Sequence, residues 1–286
     1  MLMRKVTQLV QAMEVTEGAG VHVYRTIGAP ARKNLDPFLM LDQFNTDDPD
    51  DYIAGFPEHP HRGFNTFTYM LDGHMQHGDS MGNRGDLDPG GAQWMKAASG
   101  VIHSEMPQQI SGRMRGFQLW VNLPAKEKMS APAYQEIRPE AIPEVLEEGI
   151  EVRVLAGDYD GRHGPVMDSN TRLQFLDITL VGVKNFTHGL PENHTAFIYV
   201  FEGSAKINNT EVLSQHLAVL SDGDQVIVAT GNDGARFLLL SGKPIGEPIV
   251  QHGPFVMNTR EEIEQAIADY RDGRLVREKA ELVELT

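Results

Sequence analysis

This sequence predicts an all-β protein built as two tandem β-barrels. Three observations carry the prediction. Short runs of β-branched, aromatic and aliphatic residues are punctuated by 28 glycines and 16 prolines, the rhythm of an antiparallel β protein. One supersecondary plan occurs twice along the chain, and helix-period stretches are scarce. At 286 residues and 41 % hydrophobic content, the chain is long enough for two ordinary domains with filled cores.

The strands read in order as Gly20 to Ile27, Asn65 to Leu71, Ala92 to Ala97, Arg115 to Asn122, Glu151 to Ala156, Leu173 to Leu180, Ala196 to Phe201, Gln225 to Ala229 and Ala235 to Ser241. Asp72-Gly73 closes one run as a hairpin dipeptide, and Asn208-Asn209 offers positions tolerant of left-handed backbone. The repeat is visible in TFTYMLDG (66–73), which lies without gaps on AFIYVFEG (196–203). Phe, Tyr and Gly are identical, with an acid before the glycine in both. Downstream of each copy the order of features is parallel too: a glycine-containing turn (Pro89-Gly90-Gly91, then Asp222-Gly223-Asp224), an apolar strand and a small-residue bend (Ala98-Ser99-Gly100, then Ala229-Thr230-Gly231).

Between the copies, residues 125–149 are rich in Pro, Glu and Lys and read as a linker with at most a turn or two of helix. The expected domains are therefore 1–130, a linker at 131–149, and 150–286 with a terminal helix. That helix starts at a capping box, Thr259 as N-cap and Glu262 three residues on. Ile263, Ala266, Ile267 and Tyr270 share one face, and Gly273 stops it.

Composition excludes several function classes. The chain has no cysteine, so disulfides, thiolate metal sites and cysteine nucleophiles are out, and any metal must be held by nitrogen and oxygen. A formal charge of −15 from 40 acidic and 25 basic residues argues against direct binding of nucleic acid or an anionic membrane. The opening residues, interrupted by Arg4, Lys5, Gln8, Gln11 and Glu14, lack a continuous signal-peptide core. With no apolar run of membrane-spanning length, the expectation is a cytoplasmic protein.

The residues that carry chemistry are two short motifs. His59-Pro60-His61 places two imidazoles at i and i+2, on one face of extended backbone. Pro60 cannot donate to a ladder, so the segment belongs at a strand edge or start. His103-Ser104-Glu105 repeats the device with one nitrogen and one oxygen donor. On spacing alone the pairs could share an ion inside a barrel, or the second could be a solvated turn; the apolar run Trp94 to Ile102 before it favours an interior position.

The stretches HPHRGFNTFTYMLDG, HGDSMGNRG, PGGAQWMKAASGVIHSE, RGFQLWVNLP and GPFVMNTREEIEQAIADYRDGR closely resemble the pirins, a branch of the cupin superfamily. The resemblance spans nearly the whole chain. It implies a bicupin of two jelly-roll-like barrels, the first binding Fe(II) through His59, His61, His103 and Glu105, with Mn, Co, Ni, Cu or Zn as substitutes. Three imidazoles and a carboxylate leave two octahedral positions open, the arrangement of a catalytic site. Cupins in general carry a glutamate a few residues after H-x-H, where this chain has Asn65, removing any hydrogen bond or proton transfer a carboxylate there would supply.

The repeat places Gly189 and Pro191 opposite His59 and His61, and Gly234 and Arg236 opposite His103 and Glu105, so the second barrel is expected to be metal-free and structural, or a binding surface. His188, His194 and His216 read as loop or surface histidines. His77, Asp79, Ser80 and Asn83 read as a hydrogen-bonded loop, Gln118 as ordinary strand packing, and Arg62 as the partner of an acid or of an anionic substrate.

The resemblance implies a quercetin 2,3-dioxygenase type of activity, with a flavonol and dioxygen as substrates and Glu105, or a water on the ion, accepting the flavonol proton. Its alternative is a metal- or redox-responsive module that binds protein partners, regulating transcription factors or metabolic enzymes.

Overall fold

The computed structural model describes residues 2–166 and 168–285. Strands dominate, and Arg260–Arg271 is the α-helix among the described residues. No helix among them is long and apolar enough to cross a membrane. The chain divides into two compact units, one of residues 1–13, 26–37 and 142–244, the other of residues 14–25, 38–141 and 245–286.

The unit holding both histidine motifs is built mainly from two sheets, with a small two-stranded one of Val250–His252 and Phe255–Met257 beside them. An eight-stranded sheet runs in the order Met13–Glu17, Val21–Ile27, Phe38–Thr46, Met114–Asn122, Phe64–Asp72, Ala92–Lys96, Ala133–Ile137, Glu281–Leu285. A four-stranded sheet runs Phe56–His61, Val101–Pro107, Met75–Asp79, Arg84–Leu87. Alternating side chains from both sheets fill the space between them, as the period of two requires. The turns fall where the sequence puts them: Gly73 sits at φ +89° after Asp72, a conformation glycine adopts without a Cβ clash.

The other unit is a nine-stranded sheet, with a two-stranded one of Asp158–Tyr159 and Arg162–His163, and it has a continuous apolar interior including Val152, Val154, Leu176, Ile178, Phe186, Ile198, Val200, Phe237 and Leu239. The two strands expected at 225–229 and 235–241 are one strand, Gln225–Gly242. Its far half pairs with Ala196 to Val200 and its near half with Ala205 to Ile207, with register shifts between. At the bend the ladder is interrupted, residues 231–234 having no partner on Thr195–Ile207 between Ala205↔Thr230 and Gly203↔Ala235. Asn208, at φ +53°, turns the chain out of Thr195–Ile207.

Domain boundaries differ from those expected. Residues 131–149 are not a free linker: Ala133–Ile137 pairs with Ala92–Lys96 and Glu281–Leu285, and Glu144–Glu147 pairs with Ile150–Ala156. The stretch divides between the two units, each half adding a strand to its sheet. Val6–Gln11 pairs with His216–Leu220, so the first strand belongs to the C-terminal barrel. The terminal helix belongs instead to the N-terminal barrel. A strand satisfies its backbone wherever a complementary sheet edge exists, whatever the sequence separation.

The helix keeps its predicted ends, Thr259 with Glu262 forming the capping box and Gly273 following at φ +69°. Its buried face is rotated from the predicted one. Ile263, Ala266 and Asp269 are buried, whereas Ile267 and Tyr270 stay about 40 % exposed. The rotation is explained by Asp269, which accepts from Arg62 Nη1 at 2.8 Å and from Arg277 Nη2 at 2.9 Å. A buried guanidinium needs its carboxylate, and that need outweighs burial of one more isoleucine.

Candidate metal centre

Val101–Pro107 lies between Phe56–His61 and Met75–Asp79, with His103 opposite His59 on one side and Glu105 opposite His77 on the other. Period-two alternation then points His59, His61, His103, Glu105 and His77 to one face of the small sheet. The facing surface comes from the large sheet, where Phe64 and Thr68 alternate on one strand and Gln118 and Trp120 on its neighbour. His61 packs edge-on against Phe64 and Trp120, at 5.1 and 5.3 Å between ring centres.

Ligand atoms of His59, His61 and His103 lie within 4.8 Å of one another. The tautomers follow from the hydrogen bonds. His59 Nδ1 is 2.8 Å from the Pro57 carbonyl oxygen, so it carries the proton and Nε2 keeps a lone pair. That Nε2 is 2.9 Å from Nε2 of His61. His103 Nδ1 is 2.8 Å from His77 Nε2, and its own Nε2 is buried without a partner.

Burial and the neighbouring imidazoles hold His61 and His103 well below the ordinary histidine range, and burial takes His77 down to about 4. The rings are therefore neutral near pH 7, as ligands must be. His61 Nδ1 has no hydrogen-bond partner, so the 2.9 Å contact is closed either by a proton on His61 Nε2 or by a cation that both nitrogens ligate. Nitrogens bound at about 2.1 Å in adjacent octahedral positions would stand about 3.0 Å apart, close to the 2.9 Å observed. The donor set fits a divalent metal ion.

Glu105 lies outside that 4.8 Å set. Its Oε2 accepts from Gln118 Nε2 at 3.1 Å, and its Oε1 is 3.0 Å from Thr68 Oγ1. Thr68 Oγ1 is also 2.5 Å from Gln118 Oε1. Its single proton can serve only one of the two acceptors. Burial raises the Glu105 carboxyl above its usual range, against the pull of His59 and of the Thr68 and Gln118 hydrogen bonds. A protonated Glu105 would complete a closed ring: carboxyl to Thr68, Thr68 to Gln118, Gln118 back to the carboxyl group.

Several residues stand differently from their sequence reading. His77 is no loop residue; it is buried in a strand and supports His103. Asp79 does fix the following turn, accepting from the backbone N–H groups of Met81 and Asn83. Gln118, read as packing, bonds to Glu105. Asn65 shares its face of the strand with Phe67 and Tyr69, opposite Thr68, so a carboxylate there would not reach the cluster. Arg62 takes the acid and not a substrate: it is buried, with Nε donating to the Ser99 carbonyl at 2.6 Å and Nη2 to that of Leu275 at 3.1 Å besides its bond to Asp269. His77 and Gln118 had a signal in the sequence: each alternates in step with residues on a strand that already faces the interior.

Family models match both units, the Pirin model over residues 20–121 and the Pirin C-terminal cupin domain over residues 175–276. A Pseudomonas aeruginosa protein provisionally named a quercetin 2,3-dioxygenase is 50 % identical over 280 residues, covering 95 % of this chain and 98 % of the relative. A pirin-like protein of Caulobacter vibrioides is 46 % identical, covering 96 % of this chain and 100 % of the relative. A quercetin 2,3-dioxygenase from Acinetobacter baumannii, solved by crystallography, superposes with a TM-score of 0.89 at 35 % identity over 96 % of this chain and 98 % of that one. With both barrels matched in order and half of its residues shared with one such relative, the chain belongs to the pirin family and is a bicupin.

Proposed function

We propose that the chain is an Fe(II)-dependent dioxygenase that cleaves flavonols, of the quercetin 2,3-dioxygenase type, with His59, His61, His103 and Glu105 as metal ligands. The observation that carries this reading is the convergence of three imidazoles, two with Nε2 atoms 2.9 Å apart and the third with a buried Nε2 lacking a partner. A bound divalent ion would supply Lewis acidity toward the ionised substrate hydroxyl and toward dioxygen. Mn, Co, Ni, Cu or Zn would occupy the same donors.

The chain's own residues do the rest. His77 fixes the His103 ring through Nδ1, and the Pro57 carbonyl fixes His59, so both present Nε2 inward. Glu105 takes the proton of the flavonol hydroxyl: burial raises its basicity, and the Thr68–Gln118 pair accepts and returns the hydrogen bond as it protonates. His59, Gln118 and Trp120 are half-buried while His61, His103 and Glu105 are buried, so approach is from the side of the former three. Trp120 offers an aromatic face there, and its indole N–H has no protein partner.

Aerobic incubation of iron-loaded protein with quercetin should consume the flavonol and dioxygen in equal amounts, and His61→Ala should abolish both. Turnover that survives in this variant would refute the assignment.

A second reading is a redox-responsive protein-interaction module. The near-complete burial of His61, His103 and Glu105 favours it, because a shielded ion changes oxidation state more readily than it exchanges substrate. Ferrous and ferric protein should then capture different partners from a cell extract; identical sets in both states would remove this reading.

A further inference from the structure

The C-terminal barrel has a cavity of its own, about 290 Å³ in volume. Its interior alternates with period two: Phe186 and Leu190 on one strand and its continuation, Leu176 and Ile178 on a second, Phe237 and Leu239 on a third. The same period puts His188, Gln174 and Ser241 on that inner face, and all three line the cavity together with His194 and Arg172. His188 is not the loop residue that the sequence suggests, since it sits within the strand Asn185–Gly189, and His194 lies in the bend before Thr195–Ile207 but is buried.

Three polar atoms here lack any protein partner. Ser241 Oγ, His194 Nδ1 and His188 Nε2 are buried and unbonded, with Ser241 at 0 % and His194 at 5 % exposure. Buried hydroxyl and imidazole groups are normally satisfied, and a concentration of unsatisfied ones at a cavity marks groups kept for a ligand. Gln174 is not among them, since its Nε2 donates to the Asp158 carbonyl at 2.7 Å.

Arg172 and Asp158 both line the cavity, and Arg4, Arg172 and Lys243 set a positive field at His194. Burial, then Arg4, Arg172 and Lys243, hold His194 below the ordinary range, and burial takes His188 down to about 4. Both rings are neutral, each with one N–H. Arg4 is committed to the carbonyls of Gly223, Ser221 and Pro191, which leaves Arg172 as the guanidinium at the lining. The one lining carboxylate, Asp158, is exposed and accepts a hydrogen bond from His163 Nδ1. A cation finds no third ligand, because the three-ligand group among the described residues is that of His59, His61 and His103. The volume accommodates about ten water-sized groups, more than an inorganic anion fills.

We propose that this cavity binds a small organic carboxylate, its head group taken by the Ser241 hydroxyl, the ring N–H groups of His188 and His194, and the Arg172 guanidinium. Donors of this kind around a carboxylate form charge-assisted hydrogen bonds that a neutral amide of the same shape cannot replace.

Calorimetric titration of the metal-loaded full chain with benzoate, against benzamide, tests the proposal. Benzoate should bind at one saturable site at least about tenfold more tightly than benzamide. Ser241→Ala and Arg172→Gly should each weaken benzoate at least about fivefold, with metal content unchanged. Arg172 has φ +49°, so glycine relieves the backbone there, and an unchanged or raised melting temperature separates lost binding from lost folding. No saturable heat up to about 20 mM benzoate, equal affinity for benzamide, or full affinity in both variants would overturn it.

Discussion

An imidazole buried among other imidazoles keeps its lone pair because protonation there meets both desolvation and like charge, and His61 and His103 are in that position. The same burial fixes the role of His77, which donates nothing to the cluster directly but decides which nitrogen of His103 faces it. Replacing it should loosen the metal without emptying the site. His77→Phe, which keeps the ring volume, is expected to lower metal affinity about 10–100-fold, measured by competition with a chelator of known strength. Gln118→Leu removes one donor to the Glu105 carboxylate and one acceptor for Thr68. Turnover of quercetin should fall by about tenfold to a hundredfold with metal content retained, read by steady-state kinetics alongside metal analysis.

At the scale of elements, the segment after the histidine pair is held by a turn and by the terminal helix. Gly63 has φ +93°, and a Cβ there would stand 2.0 Å from the Val256 carbonyl oxygen. Gly63→Ala should cost about 3 kcal/mol or more, since the backbone opposite cannot yield, a loss measurable by urea unfolding. Asp269 ties the helix to Arg62. Burial alone would raise its carboxyl, but hydrogen bonds from Arg62, Gln265 and Arg277 hold it down to about 2. The unfolded chain, with a carboxyl near 3.8, binds more protons between about pH 2 and 4, so this contribution is present above that window and is lost as pH falls through it. Asp269→Asn should remove that acid-sensitive part and cost about 3–5 kcal/mol at neutral pH, because Arg62 is left buried without its carboxylate; unfolding measured from pH 7 to pH 2 checks both.

For the whole molecule, a metal held only by the folded chain adds to stability by mass action. Free metal at about a hundred times its Kd should stabilise by about 2.7 kcal/mol, seen as a rise in melting temperature that chelation reverses. His61→Ala should lose that increment and keep the melting behaviour of the metal-free protein. The division into units shows which contacts make each barrel: the first strand completes the C-terminal one, and the last helix and strand complete the N-terminal one. Truncation at 130 would therefore remove Ala133–Ile137 and the whole carboxylate side of the Arg62 pair, which makes a boundary drawn from composition a poor place to cut.

What the sequence determined by itself is short-range. Nine of the strand segments, the turns at Gly73 and Asn208, the capping box at Thr259 and the i, i+2 pairing of donors are written within a few residues, because backbone conformation and side-chain alternation are local properties, whereas strands such as Phe38–Thr46 and Ala133–Ile137 carry no such local mark. The repeat extends this to two barrels. What only the tertiary structure decided are the pairings across long separations: Arg62 with Asp269 over 207 residues, Thr68 with Glu105 over 37, His77 with His103 over 26, and the capture of residues 131–149 into the two sheets. Strand register and burial select those partners, and a buried polar group takes whichever partner the packed sheets bring within reach, information that no local stretch of chain contains.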